Sequence, residues 1–110
     1  MKKVLVPLAP GFEELEAVTI IDLLRRAAID VTVAGLKEGA VTGSRGTHIV
    51  PDTTLEDAAN SDDDMLVLPG GLPGADNLNS DNSIHDNLQQ MSVEGKYLAA
   101  ICAAPKVLAS

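Results

Sequence analysis

Val4-Leu5-Val6-Pro7-Leu8-Ala9-Pro10-Gly11-Phe12-Glu13-Glu14-Leu15-Glu16 joins an apolar run to an acidic helix start through a Pro-Gly break. Val4 to Leu8 is almost continuously apolar, as a parallel strand covered on both faces must be, and Ala9-Pro10-Gly11 breaks it. A helix is predicted from Glu13 to about Ala28. Leu15, Val18, Ile21 and Leu24 recur at helical spacing, Glu13, Glu14 and Glu16 fall in the first turn, and Arg25 and Arg26 in the last, where each sign of charge suits the helix dipole.

The same alternation continues outward. Val31 to Gly35 reads as a second strand, Glu38-Gly39 as a turn, and Thr47 to Val50 as a short third strand ahead of Pro51. Leu55 to Ala59 reads as a short helix ended by Asn60-Ser61-Asp62-Asp63-Asp64, a solvated loop. Met65 to Leu68 is a strand again, Pro69-Gly70-Gly71-Leu72-Pro73-Gly74 a glycine-rich loop, Ile84 to about Val93 a helix, and Tyr97 to Ile101 a final strand. Strands alternating with helices define an α/β protein with a doubly wound parallel sheet and helices on both faces. Lys106 to Ser110 is helical in character and carries no stop signal. Residues 1–110 are therefore expected to be the N-terminal portion of a single domain, its remainder absent or supplied by a C-terminal partner fragment.

Composition narrows the function classes. With 45% apolar residues, one tyrosine and one phenylalanine, the 110 residues can build one small aliphatic core. Eight basic against 16 acidic residues give a net charge of −8, which argues against nucleic acid or an anionic membrane as partner. Metabolites and proteins remain. Met1-Lys2-Lys3 leads into only a short apolar run, no stretch approaches the roughly 20 residues of a membrane helix, and a lone cysteine forms no internal disulfide, so a cytoplasmic location is expected.

That cysteine, Cys102, follows an apolar strand and precedes Pro105, which suits a first helical turn. A residue at such a strand-to-helix bend is lifted towards the crevice where α/β proteins bind ligands, and the amides and dipole of the turn favour its thiolate. Ala100 and Ala104 are small enough to permit the bend. A buried structural cysteine is the competing reading. Gly70 and Gly71 free the backbone to aim N–H groups outward, and with the amide of Ala103 they could bind an oxyanion formed when sulfur attacks a carbonyl; an ordinary turn is the alternative. Helix initiation explains at least one of Glu13, Glu14 and Glu16. Glu16 falls beside Glu13 and below Ile20, facing inward, where like charge and apolar surroundings favour a retained proton that could be donated to a thiolate. His85 reads as solvated and His48, near Arg45, as an edge or interface residue. No residues have metal-site spacing, and no cofactor is expected.

Leu8-Ala9-Pro10-Gly11-Phe12-Glu13-Glu14-Leu15-Glu16-Ala17-Val18, Val67-Leu68-Pro69-Gly70-Gly71 and Ala99-Ala100-Ile101-Cys102-Ala103-Ala104-Pro105 together resemble the ThiJ/PfpI superfamily, in the branch of the Parkinson-disease-associated deglycase and its bacterial relatives. The resemblance covers the whole chain and implies a flavodoxin-like, class I amidotransferase-like fold. It further implies Cys102 as nucleophile and oxidation-sensitive thiol, Glu16 as the protonated carboxyl bonded to it, Gly71 with the amides after the cysteine as oxyanion site, and Arg26 and Arg45 near the site at a homodimer interface. A histidine near the cysteine would come from outside this chain. The peptidase branch has a histidine directly after its cysteine, and Ala103 there counts against peptidase activity. The activity implied is a cofactor-free glyoxalase or deglycase acting on small 2-oxoaldehydes or glycated proteins. The alternative is a redox-responsive chaperone working through oxidation of Cys102.

Overall fold

In the computed structural model, which describes residues 3–58 and 63–71 and the backbone of a strand at 97–100, β1 (Lys3–Leu8) lies in the middle of a five-stranded sheet. Its partners are β2 (Asp30–Gly35) on one side and β6 (Met65–Leu68) on the other. Beyond them lie β5 (Thr53–Thr54) and β7 (Tyr97–Ala100), giving the order β5-β2-β1-β6-β7 with every pair parallel. This is the doubly wound parallel sheet that the alternating pattern predicts, in the flavodoxin-like form that the resemblance implies. All of β1 after Lys3 is buried, which explains its unbroken apolar run. Pro7 is tolerated in this central strand because the β1–β6 ladder pairs Val4↔Met65 and Leu5↔Leu66 and stops before the residue that has no N–H to give.

The helix α1 (Glu14–Arg26) starts one residue later than expected, because Glu13 is its N-cap: the Glu13 carboxylate accepts the Leu15 N–H at 3.0 Å. Its buried stripe is also rotated from the expected one. At about 3.6 residues per turn, Ala17, Ile20, Ile21 and Leu24 share a face and pack on the core, whereas Leu15 and Val18 are 73% and 48% exposed. The helix ends at Arg26, short of Ala28. The N–H groups of Ala28 and Ile29 turn back to the carbonyls of Arg25 and Leu24, closing a Schellman motif with Ala28 at φ 62°.

Two further expectations need correction. The stretch from Thr47 to Val50 does not join the parallel sheet. Instead β3 (Val41–Thr42) and β4 (His48–Ile49) form an antiparallel hairpin, paired Val41↔Ile49 and Thr42↔His48, around a turn closed by the Gly43 N–H on the Thr47 carbonyl at 2.7 Å. The sheet position goes to β5, which runs directly into α2 (Leu55–Ala58). The acidic run before β6 is not a solvated loop throughout: Asp63 is 8% exposed. Asp64 exchanges two bonds with Lys3, donating its N–H at 2.8 Å and accepting the Lys3 N–H at 2.9 Å, which draws the run against the start of β1.

The core is aliphatic, as the composition requires: Val4, Val6, Leu8, Val31, Val33, Val41 and Val67 form one cluster with Phe12, the single phenylalanine, which is 1% exposed. Among the described residues no helix is long and apolar enough to cross a membrane.

Candidate functional site

In a parallel doubly wound sheet the ligand edge is the one at the C-terminal strand ends. Three segments meet there. β1 runs out into the segment 9–13 that enters α1, β6 runs out into Pro69-Gly70-Gly71, and the turn of the β3–β4 hairpin closes over the first of these. The Glu13 N–H donates to the Gly70 carbonyl at 3.0 Å, the Gly11 N–H to the Thr42 carbonyl at 2.9 Å, and the Ser44 N–H to the Phe12 carbonyl at 2.8 Å. Residues 11–13 are therefore held on both sides by backbone bonds.

Gly71 needs to be glycine for two reasons. Its φ is 97°, a conformation that L side chains rarely adopt, and a Cβ there would lie 2.8 Å from the Gly11 carbonyl oxygen and 3.0 Å from the Phe12 carbonyl carbon. The close approach brings the backbone of the Pro69–Gly71 loop against the start of α1, the helix that carries Glu16. Glu16 is half-buried in the first turn of that helix, with its Oε1 shielded from solvent. The inward placement expected from its i, i+3 relation to Glu13 is what the helix produces.

β6 and β7 are aligned Leu68↔Ala100, so β7 directs its C-terminal end to the same edge as Gly70 and Gly71. Cys102 and Ala103 lie outside the described residues, as do His85 and the helix expected from Ile84 to Val93. The two arginines separate. Arg45 sits in the hairpin turn beside the segment 11–13, exposed, with its backbone N–H engaged by Glu14. Arg26 is not brought to Glu16 within this chain. It occupies the last turn of α1, about 15 Å along the axis at about 1.5 Å per residue, and pairs with Asp22 at 3.0 Å. His48 is exposed in β4, with Nδ1 2.9 Å from the Thr42 hydroxyl, an edge position. Among the described residues no three His, Cys, Asp or Glu side chains are grouped as metal ligands.

Sequence reasoning passed over Glu14. Its Oε1 accepts the Ser44 hydroxyl at 3.1 Å, and its Oε2 accepts the N–H of Arg45 at 2.8 Å and of Thr47 at 3.2 Å. Burial pushes this carboxyl up, but bonds from its own backbone N–H, from those of Arg45 and Thr47, and from the Ser44 hydroxyl outweigh that and lower it to about 2. The signal available was the glycine-flanked Gly43-Ser44-Arg45-Gly46, a tight turn whose N–H groups need an acceptor.

A parallel sheet with a helix-borne carboxylate and a left-handed glycine at its C-terminal edge has the layout of a flavodoxin-like domain with a ligand site at the strand ends. The chain belongs to the DJ-1/PfpI family, whose model matches residues 2–110. It is 50% identical over 109 residues to Protein dj-1beta of Drosophila melanogaster, covering 98% of this chain and 58% of that protein. The crystal structure of Drosophila melanogaster DJ-1beta superposes with a TM-score of 0.96 at 50% identity, over 98% of this chain and 59% of that one. The glutathione-independent glyoxalase DJR-1.2 of Caenorhabditis elegans is 36% identical over 108 residues, covering 97% of this chain and 58% of the relative. The chain thus spans somewhat over half the length of each of these relatives.

Proposed function

We propose that this chain carries the nucleophile and the proton-relaying carboxylate of a cysteine-dependent, cofactor-free glyoxalase or deglycase that acts on methylglyoxal-type 2-oxoaldehydes or their protein adducts. The observation that carries the reading is the position of Glu16: a carboxylate with one oxygen shielded from solvent, on the helix that abuts the left-handed Gly71, at the edge towards which β7 directs the chain two residues before Cys102. Membership of a family that includes a relative named as a glyoxalase supports the same chemistry.

In this reaction the Cys102 thiolate adds to the aldehyde carbon, and the new oxyanion is met by N–H groups of the Gly70–Gly71 loop and of the turn after the cysteine. Glu16 takes the proton from the former aldehyde carbon and returns it to the neighbouring carbon, converting the adduct to a thioester of a 2-hydroxy acid. Water then hydrolyses the thioester, releasing the acid and regenerating the thiol. The sum is the 2-oxoaldehyde plus water giving the 2-hydroxy acid, with no external oxidant or reductant. The test is lactate formation from methylglyoxal by the purified protein. Turnover is expected in the parent and is lost in Cys102→Ala and Glu16→Gln; retention of turnover in either variant rejects the assignment.

A homodimer belongs to the same proposal. Val18 on α1 and Val50 after β4 are exposed apolar residues, and they border a groove of about 330 Å³ with Ile21 and Ile49. A second copy covering this face would account for them. Sedimentation should find a dimer that Val50→Lys weakens.

A further inference from the structure

Both oxygens of Glu14 are committed to a segment at least 30 residues away in sequence. A carboxylate that served only the helix dipole would need none of these bonds. The space around it is closed as well: a Cβ on Gly43 would lie 2.6 Å from Glu14 Cδ.

The segment so held leads back to the candidate site. Within it, Ser44 bonds Phe12, and Thr42 just before it bonds Gly11. The same residues 11–13 bond Gly70 and press against Gly71, with the Gly11 carbonyl oxygen 2.8 Å from where a Gly71 Cβ would be. The turn 43–47, the segment 11–13 and the Gly70–Gly71 loop are three backbone layers in contact, and Glu14 fastens the outermost to the helix that bears Glu16. We propose that Glu14 is a positioning residue: by holding the hairpin turn, it fixes residues 11–13 and through them the Gly70–Gly71 loop. The inference rests on the proposed reading of that loop as the oxyanion site.

Three variants of the purified protein test it. Glu14→Ala removes every bond to the turn. Glu14→Gln keeps a carbonyl oxygen for the two backbone N–H groups and can donate its amide to the Ser44 hydroxyl. Gly43→Ala displaces the Glu14 side chain without altering it. Amide hydrogen exchange is measured at Glu13, Arg45 and Thr47 without substrate, and kcat and KM with methylglyoxal. Glu14→Ala and Gly43→Ala are expected to speed exchange at all three amides and to lower kcat about tenfold to a hundredfold, the effect of a small misplacement of catalytic groups, with KM little changed. Glu14→Gln is expected to restore most of both. Parent-like exchange at Glu13 in Glu14→Ala, or Glu14→Gln no better than Glu14→Ala, overturns the proposal. Should Glu14→Ala not fold, equal kcat in Glu14→Gln and Gly43→Ala does so. A parent protein without 2-oxoaldehyde turnover rejects the proposed reaction instead, and the exchange at Glu13 still decides whether Glu14 holds the loop.

Discussion

A Cβ built on Gly71 would stand 2.6 Å from the backbone nitrogen of Glu13. Neither partner in this contact can swing aside as a flexible side chain would, so an alanine here must move backbone. Gly71→Ala is expected to cost on the order of 1–3 kcal/mol from the left-handed conformation alone, with the contact adding to it. Chemical denaturation measures the loss, and parent-like stability would show that the loop and the start of α1 are not held together.

Glu14 should make the protein acid-sensitive in a defined window. Its carboxyl is lowered from an ordinary 4.5 to about 2, so the folded state binds this proton less readily than the unfolded state. The stability it contributes is complete above 4.5 and is lost as the pH falls from there towards about 2. In Glu14→Gln, which has no such proton to gain, the component is missing. Denaturation of both proteins across that range should show the advantage of the parent shrinking with acid, and an advantage independent of pH would mean that charge on Glu14 does not hold the turn.

Ala28 occupies the residue after the α1 cap at φ 62°, where glycine is the usual occupant because a Cβ crowds the neighbouring carbonyl. Its exposure leaves no packing to lose on removal of the methyl group. Ala28→Gly is therefore expected to stabilise the protein by up to about 1 kcal/mol. A fall in the thermal midpoint would contradict the Schellman geometry.

Asp52 ties the end of α1 to the sheet. Its Oδ2 accepts the Val33 N–H at 2.9 Å and the Arg25 guanidinium at 3.0 Å, and the same Arg25 nitrogen donates to the Val31 carbonyl at 3.0 Å. The two side chains are about half exposed, so the ion pair itself is discounted, and the bond to the strand N–H carries most of the effect. Asp52→Ala should cost about 1–2 kcal/mol and Asp52→Asn less, since the amide oxygen still accepts from Val33. Equal losses in urea unfolding would assign the effect to charge instead.

The parts of the fold legible in the sequence were those set by burial on both faces of a strand. The unbroken apolar runs of β1 and β6 have no other stable use, and Met65–Leu68 is found with the bounds its pattern indicated. The inward placement of the Glu16 side chain was legible because i, i+3 geometry is a property of any helix. The buried face of α1 is not legible in the sequence because the helix carries surplus apolar residues. Leu15 and Val18 fit a helical stripe as well as Ile20 does, and only the location of the sheet selects between them.

Local periodicity and residues with fixed backbone preferences depend on near neighbours alone, so the alternation of strand and helix could be read directly, while the family was legible only as a resemblance carried by three motifs. Tertiary structure decided which carboxylate of Glu13, Glu14 and Glu16 does what. Glu13 caps, Glu14 grips a turn some thirty residues away, and Glu16 faces inward, since each role depends on what the fold brings opposite it. It decided likewise that the short strand before Pro51 pairs in a hairpin of its own, because hydrogen-bond partners far apart in the chain leave no local trace in the residues that use them.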